Sequence, residues 1–205
     1  MRIEKAYCIN LDRRPEKWEE TKQQMSIFGV DVERFSAIDG KILNLNTSPL
    51  RKGEIACAFS HLFLLTKVND EIENNVLIVE DDIVFHDRAK EIFEQCSLLI
   101  PADWDIVFLG GNHCCGFTRI NEAIAKLHGS FALHGCIYNK KALPIILGHL
   151  LRNYTSMNEH NRPIDVVLAE LHRTLNVYCF IPHLAYQKEG FSDIQQKNES
   201  YQFLK

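Results

Sequence analysis

Three consecutive carboxylates, Glu80, Asp81 and Asp82, interrupt the aliphatic run "NVLIVEDDIVF". A buried carboxylate without a partner is costly, so acids placed there are expected where water or a cation reaches them. If the strand continues through Asp82, side chains alternate, and Glu80 and Asp82 share one face while Asp81 points the other way. Oxygen-only donors with no adjacent His or Cys suit a hard divalent cation, Mn²⁺ or Mg²⁺, whose shell substrate phosphates would complete. The competing explanation is an acidic turn that solvates itself and caps the next helix. Placement straight after "VLIV", at the mouth of a buried strand, favours the cation site, and leaves a phosphohydrolase, a nucleotidyltransferase or a sugar transferase open.

The elements that must position these acids are legible in outline. "AYCINL" reads as a buried strand feeding a helix that Pro15 opens and Gly29 stops, with Trp18, Met25 and Phe28 near helical spacing. "VERFSAIDG" reads as a second strand with an Asp-Gly turn, followed by the turn-rich "NLNTSPLRKG". Glu54 to Val68 is apolar almost all round, as in a buried helix, and Arg88 to Ile100 reads as an amphipathic one. "DWDIVFLGG" and "FALHGCIYN" follow as strands, then "KKALPIILGHLL" as a helix interrupted by Pro144 and "PIDVVLAELHRTL" as a helix opened by Pro163. "VYCFIPHLAYQ" reads as the last strand before a polar tail from Lys188. Continuous apolar strands alternating with helices predict one α/β sandwich over residues 1–205, its mostly parallel sheet covered on both faces. In such sheets ligands bind at the carboxyl ends of the strands, where "DRR", "EDD" and "GGN" fall.

"INLDRRPEKWEE", "FSAIDGK" with "GEIACAFSHLFLL", and "VLIVEDDIVF" together resemble glycosyltransferase family 25, the lipooligosaccharide and collagen galactosyltransferase group. "DWDIVFLGG", "HGCIYNKKAL" and "PIDVVL" resemble its second half. The resemblance implies a GT-A type, Rossmann-like fold and inverting transfer of a hexose, galactose foremost, from a UDP-sugar to a glycan or lipooligosaccharide-type acceptor. It places "EDD" where such enzymes carry a DxD-type metal motif, with Asp82 the leading ligand, Glu80 or Asp81 assisting, and a late histidine, His183, as a further metal donor. It assigns nucleotide-sugar contacts to Asn10, Asp12, Arg13 and Arg14, and to Glu54, Ser60 and His61. His134 and Gly135 are candidates for the sugar. Each has an ordinary alternative, a solvated loop for the first group and packed core residues for the histidines.

Inversion needs a base near the acceptor hydroxyl. Asp165, in the first turn of a helix whose Ile164, Val167 and Leu168 face the core, is the leading candidate, with Asp193 and the acidic cluster as competitors. Helix-dipole stabilisation explains an acid at Asp165 equally well.

The 205 residues, 46% hydrophobic and 24% charged with net charge -4, describe an ordinary globular chain without a general pull toward nucleic acid or anionic lipid. No run reaches membrane-spanning length and "MRIEKAYCIN" is no export signal, so a cytoplasmic protein with at most peripheral membrane association is expected. The seven cysteines lack CxxC spacing and read as reduced core residues, the adjacent pair in "HCC" being an unconvincing zinc site. The main rival is a catalytically inactive nucleotide- or carbohydrate-binding protein of the same fold. A phosphohydrolase or nucleotidyltransferase is disfavoured by the lack of a GxxxxGK[ST] loop.

Overall fold

The computed structural model describes residues 1–44 and 50–199. Part of the turn-rich stretch after Ile42 and the end of the tail lie outside the described residues. In chain order the elements are β1 (Lys5–Asn10), α1 (Pro15–Phe28), β2 (Glu33–Ser36), α2 (Lys52–Glu71), β3 (Asn75–Glu80), β4 (Ile83–Phe85), α3 (Ala89–Cys96), β5 (Ile106–Phe108), β6 (Phe117–Arg119) and β7 (Ile124–Leu127). They continue with β8 (Gly135–Asn139), α4 (Leu143–Glu159), α5 (Ile164–Ala169), β9 (Val177–Phe180), β10 (Ala185–Gln187), β11 (Gly190–Ser192) and β12 (Lys197–Glu199).

The main sheet has the order β2-β1-β3-β8-β5-β9-β7-β6. Six of its eight strands point the same way, and the two reversed ones, β8 and β7, separate the parallel groups. Alternation along each strand feeds two cores. Tyr7, Ile9, Val76 and Ile78 pack with Leu64, Leu65 and Val68 of α2 and with α4 and α5. Ala6, Cys8, Leu77 and Val79 pack on the opposite face with Met25 and Phe28 of α1 and Phe93 of α3. A wholly buried leucine such as Leu64 contributes about 1.5–3 kcal/mol, so these layers fix the strand ends firmly.

Several boundaries differ from the sequence reading. Pro144 lies in the first turn of α4, where its missing amide costs nothing, so it opens the helix instead of interrupting it. The amphipathic helix after Arg88 is shorter than read, because its last turn tightens to a 3-10 segment, Ser97–Leu99. "VYCFIPHLAYQ" is two strands: β9 stays in the main sheet, while β10 leaves it after Ile181-Pro182 to pair with β4. The short strands β4, β6 and β7 carry too few residues to show a periodicity, and β6 is exposed throughout. The tail from Lys188 is polar, yet it forms the hairpin of β11 and β12.

Candidate active site

Strand β3 stops at Glu80, and Asp81 and Asp82 form the turn that follows. The register of β3 against β1 pairs Ile9 with Glu80 and so sets Asn10 beside the turn. Asn10 Nδ2 donates to Asp81 at 2.7 Å and Lys17 Nζ to the same carboxylate at 3.2 Å. Glu80 turns the other way, its Oε1 3.0 Å from His61 Nε2 on α2. Asp82 Oδ2 accepts a long bond of 3.4 Å from Gln187 on β10, and its Oδ1 is buried with no hydrogen-bond partner. The alternation thus survives although the strand ends two residues early.

The three environments separate the acids electrostatically. Burial opposes ionisation of Glu80, but the hydrogen bond and charge of His61, with His134 and Lys17 behind it, outweigh burial and hold Glu80 below its ordinary range. Asp82 is pushed up to about 7, first by burial and then by the Glu80 charge. Asp81 is raised by burial, with Lys17 and Asn10 opposing. Glu80 and Asp82 fit a hard divalent cation through two carboxylates whose charges act on each other, one buried oxygen without a partner, and a proton that the charge of an ion would displace, but the expectation of oxygen donors alone is corrected, since His61 and Cys57 lie against Glu80.

Two cavities meet at this pair. The first, about 350 Å³, is lined by five cations, Arg13, Lys17, Lys41, Arg51 and Lys52, and by five acids, Asp39, Glu80, Asp81, Asp82 and Asp193. The second, about 330 Å³, is lined by Glu54, Asn112, Asp165 and Gln187 and, among the described residues, by no lysine or arginine. Cys57, Glu80, Asp82, Ser192 and Ile194 line both. Asp165 accepts from the amides of Val166 at 2.9 Å and Ala132 at 3.4 Å, and burial raises it above the usual carboxylate range despite those bonds.

The remaining candidates divide between the cavity walls and the structure behind them. Glu54 accepts from the Arg51 amide at 2.8 Å at the start of α2, and Ser60 accepts from the Ile38 amide at 2.9 Å on the wall of the first cavity. Asn10 is buried, accepts from Arg34 and holds Asp81, so it supports the acids rather than facing the cavity. Asp12 lines neither cavity; it accepts from Ser36 and pairs with Arg34. Arg13 and Arg14 both grip Asp193, at 2.8 and 2.7 Å, and Arg13 also grips Asp39 at 2.6 Å. Asp193 is thereby held below its ordinary range against the opposing effect of burial, which makes it a weaker base than Asp165.

The structure sets three candidates of the histidine region away from the cavity walls. His134 is wholly buried beside Ala185 and lines neither cavity. Gly135 is small because Ile83 packs against it: an added Cβ would lie 2.9 Å from Ile83 Cδ1. His183 lines neither cavity, and its Nε2 lies 2.8 Å from His113 Nε2. Sequence reasoning passed over Lys17, Cys57 and Gln187, and at the hairpin tip it named Asp193 but not Ser192 and Ile194. Lys17 three residues after Arg14, and Cys57 one helical turn before His61, were the available signals.

A family model described as glycosyltransferase family 25 (LPS biosynthesis protein) matches residues 3–143. The chain belongs to glycosyltransferase family 25. A glycosyltransferase 25 family member from Aedes aegypti is 28% identical to this family 25 chain over 132 residues, 54% of the chain and 21% of the mosquito protein. Procollagen galactosyltransferase 2 of Homo sapiens is 26% identical over 131 residues, covering 54% and 21%. The chain thus spans about a fifth of the length of these relatives. The apo-form glycosyltransferase GlyE of Streptococcus pneumoniae superposes with a TM-score of 0.50 at 14% identity, over 86% of this chain and 45% of that one. The family 25 sandwich is accordingly of GT-A type. Among the described residues no helix is long and apolar enough to cross a membrane.

Proposed function

We propose that this family 25 chain is an inverting glycosyltransferase that moves a hexose, galactose foremost, from a UDP-sugar to a hydroxyl of a glycan or glycolipid. One observation carries the reading: a cavity whose wall carries five cations beside five acids meets, at Glu80 and Asp82, a second cavity whose charged residues are all acids, with Asp165 among them. A nucleoside diphosphate is an anion and belongs with Arg13, Lys17 and Lys52; a neutral sugar hydroxyl that must lose a proton belongs with Asp165. The choice of galactose draws on the likeness to the human procollagen galactosyltransferase 2.

Glu80 and Asp82 would hold Mn²⁺ or Mg²⁺, which when bound supplies Lewis-acid stabilisation of the departing diphosphate. The chain's own residues do the rest. Lys17, kept in place by Asp81, adds positive charge on the donor side. The Asp165 carboxylate takes the acceptor proton as the new bond forms on the sugar face opposite the diphosphate. Burial favours that proton on Asp165, which matches the direction of transfer.

A panel of UDP-sugars with Mn²⁺, read as UDP release, tests the reading. Asp165→Asn is expected to lower kcat by about 10²–10⁴-fold with little change in donor KM. Asp82→Ala is expected to abolish metal-dependent turnover, and full activity in that variant would sink the metal assignment. UDP and metal binding without turnover on any donor would make the chain a binding module instead.

A further inference from the structure

Glu80 takes part in a second cluster whose donors are not all oxygen. Cys57 and His61 are four residues apart on α2 and so rise from one face of that helix. That face lies against the end of β3, where Glu80 Oε1 is 3.0 Å from His61 Nε2 and 3.9 Å from Cys57 Sγ. The sulfur, nitrogen and oxygen donors all lie within 4.8 Å of one another. Around a tetrahedral ion with bonds of about 2.0–2.3 Å such donors stand about 3.3–3.6 Å apart, so only modest side-chain shifts separate this cluster from a coordination shell. His61 is wholly buried, while Cys57 and Glu80 face both cavities, which leaves the remaining position open to the substrate space.

We propose that Cys57, His61 and Glu80 form a three-ligand site for a thiophilic divalent cation of the Zn²⁺ class, its fourth position open to the cavities. Thiolate and imidazole select such an ion over Mn²⁺ or Mg²⁺, whereas the Glu80 and Asp82 oxygens select the reverse. On binding, the Cys57 thiol gives its proton to solvent as the sulfur–metal bond forms. His61 releases to solvent the Nε2 proton of its hydrogen bond to Glu80, keeps the proton on Nδ1 and supplies the Nε2 lone pair, so two protons leave in all and the bond between His61 and Glu80 gives way to two bonds to metal. No electron is transferred. Because Glu80 is common to both sets, Zn²⁺ here competes with the hard cation; that consequence, unlike the site itself, rests on the transferase reading.

The test uses the full chain carrying Cys114→Ser and Cys115→Ser, which removes the exposed vicinal thiols whose sulfurs lie 3.7 Å apart. Co²⁺ serves as the spectroscopic probe and Zn²⁺ as the titrant in competition with a chromophoric chelator. One equivalent of Co²⁺ is expected to give a thiolate-to-metal charge-transfer band with tetrahedral ligand-field absorption. Cys57→Ser is expected to remove the band, and both it and His61→Gln to weaken Zn²⁺ binding by more than the about 10–100-fold typical of outer-shell losses. A six-coordinate Co²⁺ spectrum without the thiolate band, which needs no further variant, would overturn the site. So would unchanged Zn²⁺ affinity in a folded Cys57→Ser protein. Zn²⁺ is further expected to inhibit Mn²⁺-dependent turnover competitively with Mn²⁺. Absence of turnover alongside the thiolate band would count against the transferase reading while supporting the site.

Discussion

Asp82 is the residue at which function and stability pull apart. Its ordinary value of 3.8 is raised to about 7 by burial beside Glu80. Below about 3.8 the group is protonated in both folded and unfolded chains and has no effect on stability. Between there and about 7 the folded chain keeps a proton that the unfolded chain has released, so stability falls as pH rises, and above about 7 the whole loss is present. Asparagine mimics the protonated acid. In EDTA, Asp82→Asn is therefore expected to melt above the wild type at pH 8, by about 1–3 kcal/mol of stability, and to match it near pH 4. An equal difference at both pH values would show that packing, not charge, sets the effect. The residue types of this cluster were plain in "EDD", but the partners that distinguish its members were not. Asp81 finds Asn10 at a distance of 71 positions and Asp82 finds Gln187 at 105. Only the folded register of β1 and β3 and the departure of β10 from the main sheet bring those pairs together.

Elements were legible where burial imposed a pattern and illegible where function or edges did. The runs of β1, β3 and β5 and the faces of α1 and α2 announce themselves because two cores need them. The hairpin of β11 and β12 does not, since its strands are mostly exposed and what ties it to the domain, charge pairs at its tip and the close approach of Ile194 to Gly53, leaves no periodicity. Asp193 at its tip bridges Arg13 and Arg14, and Ser192 and Ile194 beside it wall both cavities. With side-chain exposures of 29% and 26% for the arginines and 9% for the aspartate, these charge-assisted bonds are shielded enough to contribute about 1–2 kcal/mol. Asp193→Ala is expected to release the hairpin, giving faster tryptic cleavage at Lys188 and Lys197 than in the wild type. The same change leaves Arg13, on the donor side, held by Asp39 alone, so UDP binding measured by calorimetry is expected to tighten. Faster cleavage with weaker UDP binding would instead make Asp193 part of the donor site.

At the scale of the whole molecule, the sheet places the two cavities on either side of one turn, and ligands should therefore stabilise the fold in a coupled way. A ligand that binds only the folded chain adds about 2.7 kcal/mol at a hundred times its Kd, which for a chain of 205 residues is a Tm rise of about 5–10 °C. Mn²⁺ alone must displace the Asp82 proton and meets only two protein carboxylates; UDP alone meets the cations of the first cavity but also its five acids. Together each removes the other's cost, because the diphosphate completes the shell of the cation and the cation neutralises the acids facing the diphosphate. The Tm rise with both is thus expected to exceed the sum of the separate rises. In Asp82→Ala that excess should vanish while the shift with UDP alone persists, since Arg13, Lys17 and Lys52 remain. Additive shifts in the wild type would separate the nucleotide site from the acids and leave the meeting of the two cavities without its proposed chemical purpose.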